Sequence, residues 1–192
     1  VYFDLPGVDP WDESRDARLY EGPWPVVAHP PCERWGRYWS GGPSAKVRRR
    51  LGDDGGCFTS ALASVRRWGG VLEHPEASHA FEANGLPDPP KSGGWVGVLG
   101  GGWACCVEQG HYGHRARKAT WLYVFGTEPP ELIWGPSRGE RLDEGFHSRR
   151  ERERERARGV PPRKRLSTLE NIATPIPFRD LLLDIARSVL IT

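Results

Sequence analysis

Apolar positions along this chain recur with two periods, and each predicts its own kind of element. Between Cys57 and Trp68, the residues Phe58, Ala61, Leu62, Val65 and Trp68 fall three and four apart, on one face of a helix. Gly69-Gly70 follows and stops it, because glycine adopts the left-handed backbone that closes a helix. Phe178, Leu181, Leu182, Ile185, Ala186 and Val189 form a second stripe and predict a last helix beginning near TPIPF. There Thr174 can cap and proline fits the first turn. Short apolar runs read as strands: VYFDL at the start, WPVVA up to Ala28, GVLEHP from Gly70, WACCVEQ from Trp103 and ATWLYVFG from Ala119. Residues 76–83 make a helical turn or two, and a polar helix is expected over roughly 140–157. Residues 40–56, the stretch GLPDPPKSGG and residues 127–139 carry the Gly, Pro and charge of loops, and no internal repeat is visible.

This order of elements predicts an α/β fold, with central strands mostly parallel and an antiparallel pair at one edge. In such sheets sites form at the carboxyl ends of the strands. Cys32 and Glu73 each end a predicted strand, and the loop from Gly110 to Lys118 joins two strands and reaches toward the same rim. Residues 1–135 form the α/β core, and 136–192 a basic helical segment with the last helix.

Composition changes this picture in three places. With 192 residues and 38% apolar content the chain suits one domain, or one domain with a tail, while 24 Gly and 18 Pro give much of it to loops. Nine Trp leave some for a binding surface, and Trp35, Trp39, Trp95 and Trp103 either stack on bases or pack in the core or a lid. No apolar run has the length of a membrane span and no signal-peptide pattern opens the chain. The chain opens on Val and has no Met, so a start residue is expected to have been trimmed. Four Cys, two of them adjacent at 105 and 106, do not make a disulfide framework, and a reducing cytoplasm is expected. Cys57 and Cys105 read as core residues. The net charge of +2 conceals an asymmetry. Residues 149–165 carry nine basic and three acidic groups, or +6, and the remainder 18 and 22, or −4. That segment either meets a polyanion or is a solvated helix with Glu151–Arg154, Glu153–Arg156 and Glu155–Arg158 pairs.

Three pieces of chemistry line up in order. Cys32 lies in HPPC; Glu73 lies in LEHP, 41 residues on; and Arg115, 42 residues after Glu73, lies with Arg117 in YGHRARKATWLYVFG. A cysteine at a turn is a nucleophile or a small buried residue. A strand-end glutamate is a catalytic group or a helix cap, and loop arginines bind anions or only water. His29, Cys32, His74, His111 and His114 are also of the types zinc prefers, but their spacing is not a zinc signature.

The trio resembles the DNA cytosine-5 methyltransferases. In that family the nucleophile sits in a Pro-Pro-Cys turn, a carboxylate follows in a Glu-Asn motif, and a YG…QxRxR loop runs into an apolar strand. Small bacteriophage proteins share the HPPC, LEHP and YGHRA pattern. The resemblance implies a reduced Rossmann-like fold and a DNA-modifying enzyme acting on a single-stranded or flipped pyrimidine. It makes Cys32 the nucleophile, Glu73 the group on the base, and Arg115 and Arg117 the supporting cations. Arg48, Arg49 and Arg50 of KVRRR, with Lys118, become contacts to DNA, and the setting is the cytoplasm of a phage's host. Partners are DNA and a second copy or another phage protein, with no membrane. The family's donor is S-adenosylmethionine, yet FDLPGVD at 3–9 lacks its glycine cluster. About 20 residues separate that stretch from VVAHPPC, so the donor site is truncated and another donor is in view. His74 stands where Asn is expected, and Gln109 lies upstream of the loop that should hold it. The alternative is a non-catalytic DNA-binding or virion-associated protein that keeps the scaffold.

Overall fold

A computed structural model describes residues 2–36, 39–41, 46–47, 49–139, 149–159 and 167–189. Five strands form one mixed sheet: β1 Val26–Ala28, β2 Gly70–Pro75, β3 Trp95–Gly97, β4 Trp103–Glu108 and β5 Ala119–Phe125, in the order β1-β2-β5-β4-β3. The helices are α1 Cys57–Trp68, α2 His79–Ala83, α3 Arg149–Ala157, α4 Thr168–Ile172 and α5 Ile176–Arg187.

The class is α/β, but the sheet is mostly antiparallel, against the mostly parallel one expected. Only β1 and β2 run parallel, in the register Val26↔Gly70 to Ala28↔Leu72, with α1 as their crossover. The reason is connection length. A parallel neighbour needs a crossover of a dozen or more residues, usually a helix. After β2 no long helix intervenes: β3 turns into β4 through Val98–Gly102, and a ten-residue link carrying a 3-10 turn at Gln109–Tyr112 joins β4 to β5. Short links leave strands antiparallel, and β5 inserts between β2 and β4.

Alternation along each strand divides the core into two layers. Leu72, Ala104, Cys106, Trp121 and Tyr123 face α1 and α2, where Phe58, Leu62, Val65 and Phe81 are buried. Val71, Cys105, Val107, Leu122 and Val124 face α5, which buries Phe178, Leu182 and Ile185 against them. Gly69-Gly70 does more than end α1. A Cβ on Gly70 would lie 2.0 Å from Val26 O, so glycine, at φ 117, is what allows β1 to pair there.

Three local expectations need correction. VYFDL is not a strand: Asp4 is left-handed, at φ 65, and breaks the extended run. Thr174 does not cap α5, because Pro175 occupies the cap position and Pro177 the first turn. β3 and α4 are further elements; α4 opens with a capping box in which Ser167 and Glu170 bond each other's backbone. Of the polar helix expected over 140–157, Arg149–Ala157 is helical, and 140–148 lie outside the described residues. Among the described residues no helix is long and apolar enough to cross a membrane.

Candidate functional site at the ends of the parallel strands

β1 ends opposite Leu72, while β2 runs on to Pro75, so Glu73 lies within β2, paired with Leu122, rather than at a strand end as expected, and the residues after Ala28 come to lie beside it. After Ala28 come His29, two prolines that cannot extend the ladder, and Cys32. The Cys32 carbonyl accepts N–H bonds from Trp35 (3.0 Å) and Gly36 (2.9 Å), so the thiol sits at the start of a tight turn. Glu73 lies on the α5 face of β2, by alternation with Val71, with 14% of its side chain exposed.

Glu73 is held from two sides. His29 Nδ1 lies 2.9 Å from Oε2, and Gln109 Nε2 donates to Oε1 at 3.3 Å. The same amide nitrogen donates to Thr120 Oγ1 at 2.8 Å, and Tyr2 Oη lies 2.7 Å from His29 Nε2. An ionised carboxylate only accepts, so His29 donates from Nδ1–H, and in its neutral form it accepts the Tyr2 hydroxyl proton at Nε2. Tyr2 suits that role, since burial first and Glu73 next raise its hydroxyl pKa and keep it protonated. The result is a continuous chain, Tyr2–His29–Glu73–Gln109–Thr120. Burial alone would raise the Glu73 carboxyl. The His29 hydrogen bond, with the charges of His29, Lys118 and His74, outweighs it and holds the carboxyl below its ordinary range.

Cys32 is exposed as a residue, yet enough protein surrounds its thiol for desolvation to lead. Burial first and the Glu73 charge next raise the thiol pKa, with Lys118 pulling the other way. Cys32 is therefore a protonated thiol at rest. Lys118 feels the charge of both groups: burial lowers its ammonium pKa, while Glu73 and Cys32 oppose that, and Nζ donates to Ala173 O at 3.1 Å.

Among the described residues, the lysine or arginine whose charge acts on both Cys32 and Glu73 is Lys118, read from sequence as a DNA contact. Arg115 reaches α4, where Nη1 lies 2.6 Å from Glu170 Oε1, and Arg117 is exposed. Arg49 and Arg50 are exposed in a segment that returns to the Cys32 turn through Gly52 N–H to Arg34 O (3.0 Å). Arg48 lies outside the described residues. Trp35 is buried with its indole N–H on Asp54 (2.7 Å), and Trp95 donates to Pro130 O (2.7 Å) against Trp134, so these two serve packing.

The histidines disperse. His74 is buried on the α1 face, edge-on to Phe58 and 2.7 Å from Ser78 Oγ, and burial lowers its pKa to about 4. Its Nε2 has no hydrogen bond of good geometry, although the Pro31 backbone lies near enough to favour the protonated form. His111 bonds to Gly135 O, and His114 to Ala116 O and Glu170 O. Among the described residues no three His, Cys, Asp or Glu side chains converge to hold a metal.

A second thiol lies on the opposite face. Cys106 is 5% exposed and borders a cleft of about 230 Å³ lined also by Glu76, Lys91 and Glu108. Burial first, then Glu76, pushes its thiol up to about 11. All four cysteines are free.

Gln109 and Tyr2 are the members of this network that sequence reasoning did not place beside Glu73. A glutamine closing an apolar strand was the available signal for the first; nothing in VYFDL marks Tyr2 as the partner of His29. Compared with known protein families, with curated proteins and with solved structures, the chain matches none.

Proposed function

We propose that this chain is an enzyme that acts on a pyrimidine base in DNA through a covalent adduct of Cys32. The observation that carries this is the common rim: an exposed cysteine just beyond β1 and a carboxylate held ionised on the adjoining parallel β2, with Lys118 in electrostatic reach of both. The order HPPC, LEHP and YGHRARK, which resembles the motif order of DNA cytosine-5 methyltransferases, supports the same reading.

The chemistry is set by the residue types. The Cys32 proton leaves to solvent as the thiolate forms, with Lys118 lowering the cost of that charge. Sulfur bonds to C6 of the ring, and the C5=C6 electron pair moves to C5 and into the adjoining carbonyl or amidine system. The ring's N3, where it carries no proton, takes one from solvent and returns it when Cys32 leaves; the Glu73 carboxylate accepts that N3–H, so no uncompensated negative charge builds up on the ring. C5 can then take a proton from solvent, lose one, and expel Cys32 again, which restores the base. No donor is needed for that exchange. S-adenosylmethionine does not fit the segment ahead of β1: between Tyr2 and Val26 the chain forms one 3-10 turn at Ala17–Leu19 and no strand or glycine cluster to cradle it. No step is assigned to it.

The test is hydrogen exchange at C5. Single-stranded oligonucleotides are incubated in heavy water with wild type or Cys32→Ser, then digested to nucleosides and weighed. Deuterium at C5 with the wild type alone supports the proposal; none with either sinks it. The second reading, a non-catalytic DNA-binding or virion-associated protein on the same scaffold, is favoured by the raised Cys32 thiol. It predicts oligonucleotide binding without exchange.

A further inference from the structure

Gln109 is 1% exposed and locked in place through its backbone, with N–H to Lys118 O (2.9 Å) and C=O receiving His114 N–H (3.1 Å). Its side-chain Nε2 is shared between Thr120 Oγ1 and Glu73 Oε1, while its Oε1 is buried with no hydrogen-bond partner. Turning the amide over would set its oxygen against the Glu73 carboxylate, so this orientation is the favourable one. As filler, glutamine is a poor choice here: a methionine would occupy the same volume without leaving a buried acceptor unpaired. What glutamine adds is the N–H toward Glu73.

We infer that Gln109 is a positioning residue of the Cys32–Glu73 rim: anchored by Thr120, it holds the Glu73 carboxylate in one orientation opposite His29 and sets the charge that Cys32 feels. The inference rests on that rim being the functional site, but its test needs no substrate. The titratable groups that act on Glu73 are His29 after β1, Cys32 in the turn and Lys118 before β5, with His74 acting from the opposite face of β2. Behind His29 stands Tyr2, itself faced by Arg179 and Asp180 of α5. Gln109 carries no charge, so removing its N–H changes Glu73 through hydrogen bonding alone.

The experiment is the pH profile of Cys32 alkylation by iodoacetamide, read on its peptide by mass spectrometry, in wild type and Gln109→Met. While Glu73 is ionised it raises the thiol; once protonated it no longer does. The logarithm of the rate therefore breaks from its alkaline slope at the Glu73 midpoint. Without the Gln109 donor the carboxylate protonates more readily, and the break moves up by about one pH unit. A purely structural glutamine leaves the break in place: a folded Gln109→Met protein with the wild-type profile overturns the inference. Should that variant not fold, wild-type NMR decides. The Gln109 side-chain amide signals must titrate with the Glu73 carboxyl carbon; signals that stay fixed while it titrates also overturn it. Base chemistry fails separately, by absence of C5 exchange.

Discussion

The sheet carries a thiol beside a carboxylate on each of its two faces, and the two arrangements are built differently. At the rim toward α5, Cys32 is exposed, Glu73 is held by His29 and Gln109, and Lys118 stands near. Toward α2, Cys106 lies inside the β4 ladder, Glu76 is tied to Lys91 at 2.7 Å, and Glu108 accepts the Ser137 N–H. Both thiols are raised by burial and a neighbouring glutamate. Nearness of a carboxylate therefore does not distinguish a reactive site. What differs between the two is exposure: Cys32 is exposed in a turn beyond β1, whereas Cys106 is buried within β4 and only borders a cleft.

The largest expected effect breaks that comparison outright if it fails. Cys32→Ser lowers C5 exchange by roughly a thousandfold, or to background, while Cys106→Ser keeps it within about twofold of wild type. Equal loss in both would make the two thiols equivalent and erase the distinction between the faces. Next come the layers beneath them. Phe58→Ala under the α1 face and Phe178→Ala under the α5 face each cost about 3–5 kcal/mol in urea unfolding, since both side chains are fully buried. A much smaller loss at Phe178 would show that α5 is not the true cover of the rim.

A smaller effect depends on pH. Folding holds the Glu73 carboxyl below its ordinary range, so its ionised form favours the folded state. That contribution is complete above the unfolded carboxyl's pKa and is lost as pH falls through the folded one. Glu73→Gln should therefore unfold at lower urea than wild type at neutral pH, and the gap should narrow in acid. A gap that widens in acid would show that burial, not His29 and the charges around it, governs this carboxylate. The smallest effect is at the exposed Arg115–Glu170 pair. Arg115→Ala should change stability by less than about 1 kcal/mol, and leave exchange intact if Lys118 is the working cation.

Much of the rim was legible in the order of residues. The apolar stripe and the double glycine bound α1 at Cys57–Trp68 and β2 at Gly70–Pro75, and the strand-helix-strand order placed β1 parallel to β2. That alone put the residues after Ala28 next to Glu73. Strand direction farther along was not legible, because pairing of β5 between β2 and β4 is a long-range choice that local periodicity does not encode. The different surroundings of the loop cations were not legible for a related reason. In the RARK run, Arg115, Arg117 and Lys118 look equivalent in sequence, but α4 draws off Arg115 and the turn into β5 carries Lys118 inward. Ser167 and Glu170 spell a capping box that could have flagged α4, but five residues are too few for an apolar stripe.

The most direct test of the central claim is covalent capture. A single-stranded oligonucleotide carrying 2-pyrimidinone, whose C6 is more electrophilic because it lacks the electron-donating amino group, is incubated with the full chain and the intact mass is measured. The account predicts a species equal in mass to protein plus oligonucleotide, mapping to the Cys32 peptide and absent from Cys32→Ser. No such species, or one mapping to Cys57 or Cys106, would contradict it.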